Sequence, residues 1–309
     1  MNWMKPGICL AVTGVFLCAG AEELSLPAKL PKGIVRNADG NVELGGRTRL
    51  VFRDFPVQAR QRCRLKVQAR VKSGNALETV PVMDQMLKQG GARTVKTAMV
   101  RYEYRSGSKH LPTMYQTNSL RILSTQFREY LLEFYAIDDA DAVRVMILTN
   151  DPKNVVEVKS AEIVPVDMTQ EKTLNVNPDL KFGPYNTCGY GGGSRSTYDE
   201  DDSGPFLDVG AGWRVCDWIP VDAGDRLKVA WNGEPAEGTG AMRVTMGFHK
   251  SAHQKGYWLK TSKLPMHATR KKPSGTEEIV VPEGMSWMRI VFAHGSLRGI
   301  WIEKINASK

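Results

Sequence analysis

The amino-acid sequence predicts an all-β protein, in which two tandem jelly-roll-like antiparallel β-sandwiches follow a signal peptide. Short runs that alternate apolar and polar side chains, such as residues 242–248, are separated by clusters of Gly, Pro, Asn and Asp, which is typical of antiparallel sandwiches and barrels. The two halves of the chain also contain similar strand sequences in the same order. Helical periodicity is limited to two short candidates, residues 77–90 and residues 125–134.

The first residues of the chain have the pattern of a signal peptide. Residues 1–5 form a short n-region made basic by Lys5, residues 8–18 are apolar but too few to span a bilayer, and residues 19–21 fit a small-x-small cleavage site. We therefore expect residues 1–21 to be removed on export. A lipoprotein anchor is the alternative, but it needs a small residue before the modified cysteine, and Leu17 precedes Cys18.

No later segment is apolar for the 18 or more residues that a transmembrane helix requires. We therefore expect the mature chain to be soluble and without a transmembrane segment. Its expected location is the periplasm, the medium or the cell surface of a bacterium.

Similar segments in the two halves indicate a duplicated domain. Four pairs of segments correspond: residues 54–59 with 217–223, 64–67 with 226–229, 143–147 with 288–292, and 161–164 with 300–305. The distance between the copies is far longer than the repeat of a solenoid. We therefore expect a first sandwich over residues 22–166 and a second over residues 174–309, joined by a polar stretch near residues 167–178.

The second half carries a recognisable series of turns. A strand ends in Asp217 and Trp218, a Pro-Val-Asp-Ala-Gly turn follows at residues 220–224, and a Val-Pro-Glu-Gly turn at residues 281–284 precedes a strand at residues 287–290. This pattern resembles the galactose-binding-like jelly-roll domains, which are similar to carbohydrate-binding modules and accompany secreted polysaccharide-degrading enzymes. The first half shares it more faintly, since its turn lacks the glycine.

The resemblance implies a non-catalytic protein whose partner is a polysaccharide or another glycan. Many such domains act only as spacers, because fold does not determine function. The alternative is therefore a structural or protein-interaction module of the cell envelope that has no sugar site.

Sugar binding requires flat apolar side chains that cover the C–H faces of a pyranose ring, with hydrogen-bonding groups around them. Apart from Trp3, the other six tryptophans all lie in the second half. We expect Trp218 and Trp231 in the core. Four aromatic residues fit a core less well and are candidate ligand platforms: Trp213, Tyr257, Trp258 and Trp301.

The excess of basic residues is concentrated in the first half. Residues 22–165 contain 23 Lys and Arg against 16 Asp and Glu, whereas residues 166–309 contain 18 against 17. Six cations occupy alternate positions of one predicted strand, opposite an apolar face, and we name them the basic ridge: Arg60, Arg62, Arg64, Lys66, Arg70 and Lys72.

The basic ridge has two interpretations. It is either a solvated outer face that deters edge pairing or a contact for a polyanion. Outside the cytoplasm, sulfated or carboxylated glycans are favoured over nucleic acid as that partner.

An acidic segment offers a candidate metal site. Residues 198–202 contain four carboxylates, of which Asp199, Asp201 and Asp202 could bind a structural Ca²⁺ through oxygen. The spacing does not match an EF-hand, and adjacent acids cannot all point at one ion. A solvated acidic loop is therefore the preferred interpretation, and no other cofactor is expected.

The sequence contains no GxSxG or HExxH motif. A jelly-roll polysaccharide lyase would need a basic site made of Tyr, His and Lys, for which His249, Tyr257 and Lys260 are the available residues. Nothing in their spacing brings these three together. We therefore expect the chain not to be an enzyme, and a lyase is the less favoured alternative.

Three cysteines remain after the signal peptide: Cys63, Cys188 and Cys216. Cys63 lies on the apolar face of the strand that carries the basic ridge, where a free cysteine behaves as a small buried hydrophobe. An odd count in an oxidising compartment permits one disulfide and one free thiol. We therefore expect Cys188 and Cys216 to form the single disulfide.

A Cys188–Cys216 bridge would close a loop of about 27 residues, which on the chain-entropy model stabilises the second sandwich by roughly 3 kcal/mol. Peptide mapping of the exported protein without reductant should recover one peptide pair joined through these cysteines, and an unmodified Cys63. Recovery of Cys63 in a bridge would contradict the assignment.

Overall fold

The computed structural model describes residues 22–74, 98–111, 119–181, 190–192, 197–252 and 265–305. Regular structure within these residues consists of β-strands, and each strand pairing is antiparallel. The all-β prediction is therefore confirmed. Over the same ranges, no helix is long and apolar enough to cross a membrane.

The first sandwich consists of twelve strands within the described residues. They are β1 (Glu22–Glu23), β2 (Ile34–Arg36), β3 (Val42–Gly45), β4 (Arg49–Val51), β5 (Phe55–Pro56), β6 (Arg62–Ser73), β7 (Ala98–Ser106), β8 (Lys109–Leu111), β9 (Ser119–Ile122), β10 (Arg128–Tyr135), β11 (Ala142–Leu148) and β12 (Val155–Pro165). Sheet A has the order β10-β6-β12-β3-β2, with β1 beside β12. Sheet B has the order β4-β11-β7-β8, with β5 beside β11 and β9 beside β7.

The second sandwich consists of the remaining described strands. They are β13 (Tyr190–Gly192), β14 (Thr197–Asp201), β15 (Gly204–Asp208), β16 (Trp213–Val215), β17 (Ile219–Pro220), β18 (Arg226–Pro235), β19 (Met242–His249), β20 (Pro265–Ala268), β21 (Ser274–Val280), β22 (Trp287–Ala293) and β23 (Gly295–Lys304). Sheet C has the order β13-β16-β22-β19-β20, with β17 beside β22. Sheet D has the order β14-β15-β23-β18-β21.

The two sandwiches repeat one topology. Apart from β1, the strands of sheet A correspond in order to those of sheet D, with β6 matching β18 and β12 matching β23. Sheets B and C correspond likewise, with β11 matching β22. The repeated segments of the sequence lie in these matching strands, so the tandem sandwich is confirmed. The exact limits of each domain remain a prediction.

The expected helical turn over residues 125–134 is wrong. Most of that stretch forms β10, which pairs with β6 along its whole length. The inward side chains Tyr130, Leu132 and Phe134 recur every second residue, which is the period of a strand. The other helical candidate, residues 77–90, lies outside the described residues.

Strict alternation builds the core of the first sandwich. Along β6 the residues on the predicted apolar face, which starts at Cys63 and ends at Val71, are all buried. On the facing sheet, Tyr102 stacks against Phe134 of β10 with ring centroids 4.0 Å apart. Tyr104 packs edge-on against the same phenylalanine ring at 5.9 Å.

Two tryptophans of the second sandwich join the hydrophobic core of the first. Trp218 and Trp287 are fully enclosed, and they belong to the same buried cluster as Phe55 and Phe134. The indole Nε1–H of Trp287 donates a hydrogen bond to the Asp138 carboxylate, in the loop after β10. A single apolar core therefore crosses the boundary between the sandwiches.

A buried arginine packs against Trp218 at this boundary. The guanidinium of Arg289, on β22, lies 4.5 Å from the ring centroid of Trp218, and its Nε–H donates to the carbonyl of Cys216 at 3.0 Å. His249, at the end of β19, contacts Trp218 edge-on with centroids 5.0 Å apart. The aromatic face of Trp218 therefore supplies part of the environment of a buried arginine.

The segment that joins the sandwiches is held by the first of them. A guanidinium N–H of Arg62 donates to the carbonyl of Thr173 at 3.0 Å. The hydroxyl of Tyr135 donates to the carbonyl of Leu174 at 2.5 Å. Arg62 lies on β6 and Tyr135 on β10, so these two hydrogen bonds join the start of the segment to sheet A.

The same segment continues as a partner of β23. The backbone N–H of Ile300 donates to the carbonyl of Pro178 at 2.9 Å. The buried side chain of Asn175 donates to the carbonyl of Ile300 at 2.7 Å and accepts from the N–H of Ile302 at 2.9 Å. The join is thus ordered by hydrogen bonds to both sandwiches.

Because Trp287 fills the core at the boundary, Trp287→Ala should lower the free energy of unfolding by about 3–5 kcal/mol, as for other truncations of buried aromatic residues. Urea denaturation followed by far-UV circular dichroism measures this. The control is Val280→Ala, since Val280 is one of the two large apolar residues that are exposed among those described. Its effect should stay within about 0.5 kcal/mol. Equal effects of the two variants would contradict the shared core.

Candidate functional site

The tryptophans divide into a buried group and a surface group. Trp218, Trp231 and Trp287 are buried, as predicted for the first two. Trp213 and Trp301 are partly exposed and belong to neither apolar core. Two further candidate platforms, Tyr257 and Trp258, lie outside the described residues.

Trp301 lies on the outer face of sheet D. Its neighbours in β23, Ile300 and Ile302, are fully buried, so the strand directs Trp301 away from the core. A Cβ added at Gly299 would lie 2.3 Å and 2.6 Å from Cη2 and Cζ2 of the indole. The six-membered ring of the indole therefore lies against the backbone of Gly299, and the side chain is partly exposed on this face.

Small and polar residues surround this indole. Trp301 is paired with Ala230 on β18, which is paired in turn with Thr276 on β21. Two residues further along each strand, at the next outward-facing position, Gly299 is paired with Asn232, and Asn232 with Ser274. Residues directly opposite each other share a face of the sheet, so an amide and two hydroxyl side chains lie beside the ring.

Two charged side chains lie next to Trp301 and Ala230 along this face. Lys228 on β18 and Glu303 on β23 are each about half exposed, and Nζ lies 3.9 Å from a Glu303 carboxylate oxygen. We name the surface made by Trp301, Ala230, Asn232, Ser274 and Thr276 the Trp301 platform. It combines one flat aromatic face with a rim of hydrogen-bonding groups.

Trp213 lies on the outer face of sheet C. It is paired with Ala293 of β22, and Ala293 is also paired with the exposed Arg243 of β19. An open cleft of about 660 Å³, lined by residues 235–240 and 269–271, lies at the same end of the sandwich. None of its described lining residues is aromatic.

Trp213 and Trp301 are not brought together. They belong to different sheets of the same sandwich and point outward from each of them. The two aromatic residues therefore do not line one groove, and each must be judged as a separate surface.

The basic ridge is only partly as expected. Alternation along β6 places Arg64, Lys66, Arg70 and Lys72 on the outer face of sheet A. Arg60, however, precedes the strand, in a turn where its φ is +66°. Its guanidinium bonds Asp222 at 2.7 Å and the carbonyl of Val221 at 2.7 Å, so it contacts the second sandwich.

The other five cations of the basic ridge are matched by carboxylates. β6 is a central strand, so acids from its neighbours lie beside the ridge. The pairs are Arg62 with Glu133, Arg64 with Glu133 at 3.0 Å, Lys66 with Glu162 at 3.1 Å, Arg70 with Glu157 at 2.6 Å, and Lys72 with Glu43. Arg62 is itself buried, with 3% of its side chain exposed. The ridge is an internally neutralised network, which does not favour it as a polyanion contact.

Glu157 is the most enclosed acid of this network, with 1% of its side chain exposed. Burial alone would raise the pKa of its carboxyl, but hydrogen bonds from Asn41, Arg70 and Asn37 hold it below its usual value. Because the pKa is lower in the folded state, the carboxylate stabilises the fold above the unfolded pKa. That contribution is lost as the pH falls through the folded value.

We therefore expect the free energy of unfolding to decrease as the pH is lowered below about 4.3, the ordinary pKa of a glutamate. Glu157→Gln should reduce this dependence, whereas Glu129→Gln, which alters an exposed acid of β10, should leave it unchanged. Urea midpoints measured between pH 6 and pH 3 provide the comparison. Identical pH profiles for wild type and Glu157→Gln would refute the assignment.

The acidic segment forms a β-hairpin of β14 and β15. Both carboxylate oxygens of Asp201 accept from the guanidinium of Arg298, at 2.9 Å and 2.7 Å, and these bonds lower the pKa of Asp201. Asp202 is exposed in the turn, and the side chain of Asp199 is outside the described part. No cluster of three metal-binding side chains occurs among the residues that are described. The Ca²⁺ site stays an untested prediction.

Of the three residues suggested for a lyase, the structure describes one. His249 is 6% exposed and packs against Trp218 in the boundary between the sandwiches. Tyr257 and Lys260 lie outside the described residues.

Cys63 is free and buried, as the sequence predicts. Burial next to Glu133 raises its thiol pKa to about 12. Cys216 is also buried, while Cys188 lies outside the described residues. The Cys188–Cys216 pairing therefore stays a prediction.

Sequence patterns alone did not identify the neighbours of Trp301. Ala230, Asn232 and Thr276 have nothing unusual in their own segments, and they reach the indole through pairing between strands about 40 to 70 residues apart in the chain. Gly299 carried the available signal, since a glycine inside a strand often marks a close approach of another group.

No known protein family matches the sequence, and no curated protein sequence matches it. Among solved structures, the N-terminal CBM22-1–CBM22-2 tandem domain of Paenibacillus barcinonensis Xyn10C is similar, with a TM-score of 0.33 and 10% identity over 93% of this chain and 92% of that one. The enzymatically active domain of tailspike protein 4 from bacteriophage CBA120 gives a TM-score of 0.35 and 13% identity over 43% and 22%.

The C-terminal CBM6 of LamC, a marine laminarinase from Zobellia galactanivorans, gives a TM-score of 0.29 and 6% identity over 47% of this chain and 98% of that one. Carbohydrate-binding modules thus recur among the similar structures, as the sequence pattern suggested. At these scores and identities the similarity assigns neither a family nor a function. The chain is similar to tandem β-sandwich modules of this kind.

Proposed function

We propose that this chain is an exported, non-catalytic carbohydrate-binding protein, and that Trp301 is the side chain on which a sugar ring stacks. The observation that carries this proposal is the position of the indole. It lies along the outer face of sheet D, resting on Gly299, and contributes to neither apolar core.

The chemistry of the Trp301 platform suits a pyranose. A sugar ring presents axial C–H groups on its faces and hydroxyls on its edge. An indole that lies flat covers the C–H groups, while Asn232, Ser274 and Thr276 can exchange hydrogen bonds with the hydroxyls. Ala230 leaves space beside the indole, because its side chain is a single methyl group.

A binding role is also supported over a catalytic one. The one histidine considered for a lyase site is enclosed at the boundary between the sandwiches, where it cannot reach a polysaccharide. The N-terminal pattern of a signal peptide supports export.

The experiment begins with a glycan array on the mature protein, which identifies a neutral glycan for titration calorimetry. Trp301→Ala should weaken its binding by about 1–3 kcal/mol, the usual effect of removing an aromatic anchor, with little change in melting temperature. Trp213→Ala is the matched control, since it removes a partly exposed tryptophan from the other sheet. Loss of binding in Trp213→Ala but not in Trp301→Ala would place the site elsewhere.

A second variant tests the orientation of the ring. Gly299→Ala keeps the indole but introduces a Cβ 2.3 Å from Cη2, so the ring can no longer rest on the strand. Glycan affinity should therefore fall in Gly299→Ala as well. Full affinity in this variant would show that flat packing of Trp301 is not required for binding.

A further inference from the structure

The excess positive charge of the first half is exposed on sheet B rather than on the basic ridge. In sheet B, one face packs in the core through residues such as Val100, Tyr102 and Val145. The alternate positions face outward. Five arginines occupy them, and we name these the sheet B arginines: Arg49, Arg101, Arg105, Arg121 and Arg144.

Strand register arranges the sheet B arginines around an apolar strip. In one row across four strands, Leu148 and Met99 lie between Arg49 and Arg121. In the next row, Met146 lies beside Arg101, but its side chain is buried, so Leu148 and Met99 alone form the accessible strip. Four strands span about 14 Å, so guanidinium groups flank a strip wide enough for an extended polymer chain.

Carboxylates are sparse on this face. Arg144 is bound by both oxygens of Asp54, at 2.6 Å and 2.8 Å. Glu103 lies 3.4 Å from Nη2 of Arg101. No ion pair of Arg49 or Arg105 occurs among the described residues, in contrast to sheet A, where each cation of the basic ridge on β6 has an acid partner.

Three of these guanidiniums retain hydrogen-bonding capacity. The Nε–H groups of Arg101 and Arg105 are buried without a hydrogen-bond partner within the described structure, so a ligand would meet the terminal Nη groups instead. The Arg101 side chain is 39% exposed, and Nη2 of Arg105 donates to the carbonyl of Ser108. Arg49 directs an Nη2 group at the sulfur of Met146, and a thioether is only a weak acceptor. A carboxylate or sulfate would accept from such donors much more strongly.

We infer that the outer face of sheet B binds an anionic polysaccharide, through its carboxylate or sulfate groups. Arg49, Arg101 and Arg105 donate to the anionic groups, and Met99 and Leu148 cover C–H groups of the sugar. This site lies in the other sandwich from the Trp301 platform. It goes beyond the proposed function and does not depend on it.

The test uses the mature protein with three probes: heparin, which is sulfated, polygalacturonate, which is carboxylated, and duplex DNA of mixed sequence. The variant is the triple Arg49→Gln, Arg101→Gln, Arg105→Gln. Its control is Lys29→Gln, Lys32→Gln, Lys153→Gln, which removes the same charge from exposed loops of the same sandwich. Affinity is measured by calorimetry at two salt concentrations, and folding by circular dichroism.

The triple arginine variant should bind its polysaccharide about tenfold or more weakly than wild type and lose part of the salt dependence, while the control changes little. The better of the two polysaccharides shows which anionic group is recognised. Arg101→Lys retains the charge without the planar fork, so it should fall between wild type and Arg101→Gln, and it remains informative if the triple variant does not fold.

Equal weakening by both triple variants would overturn the assignment, because charge alone would then explain binding. Tighter binding to DNA than to either polysaccharide at the same salt would overturn it too, as would a lack of binding to all probes. Trp301→Ala should leave heparin and polygalacturonate binding intact. Failure of this site and failure of the Trp301 platform are therefore separate results.

Discussion

The burial of Trp218 and Trp287 between the two sandwiches is the contact on which the arrangement of the surfaces depends. Each indole can remove about 150–250 Å² from water, and both do so in the core of the neighbouring sandwich. The contact also encloses Arg289 and His249, which sit on the outward side of sheet C at that end. Packing of the sandwiches therefore covers the end of this face near Trp287. Trp213 lies at the other end of β22, outside this contact.

Charge and packing together decide which surfaces can meet a ligand. On sheet A, neighbouring strands carry acids such as Glu133 and Glu157 that are themselves buried against the cations. The cations of β6 are already paired with these carboxylates, so the strand with the most basic sequence has little free charge for a polyanion. On sheet B the neighbours of the arginines are mainly Met and Leu, which leave the guanidinium groups to the solvent side. Net charge in sequence is therefore a poor guide to the location of an exposed positive surface.

Much of the fold could be predicted because apolar and polar residues alternate along the individual strands. The period of two along β6 separated Cys63 and its apolar companions from the cations, and the echo of Asp54 and Phe55 at Asp217 and Trp218 showed the duplication. Contacts between distant strands could not be predicted this way. Glu133 reaches Arg64 through the pairing of β10 with β6, which no spacing within either segment reveals.

The failed helix over residues 125–134 has a related cause. Its apolar residues fit both a helical face and the two-residue period of β10, and only pairing with β6 decides between them. The candidate site shows the same limit, since Trp301 was recognisable as an outward residue, whereas its polar rim is assembled by β18 and β21.

The hydrogen bonds between the joining segment and β23 bear on how the chain can be divided. Pro178 and Asn175 satisfy backbone groups of Ile300 and Ile302, and Asn175 is buried while it does so. A recombinant fragment that started after Pro178 would expose this edge of β23 and leave its amide and carbonyl groups open to pairing with other chains. The second sandwich should therefore be expressed with residues 173–178 attached, although this polar stretch has the composition of a linker.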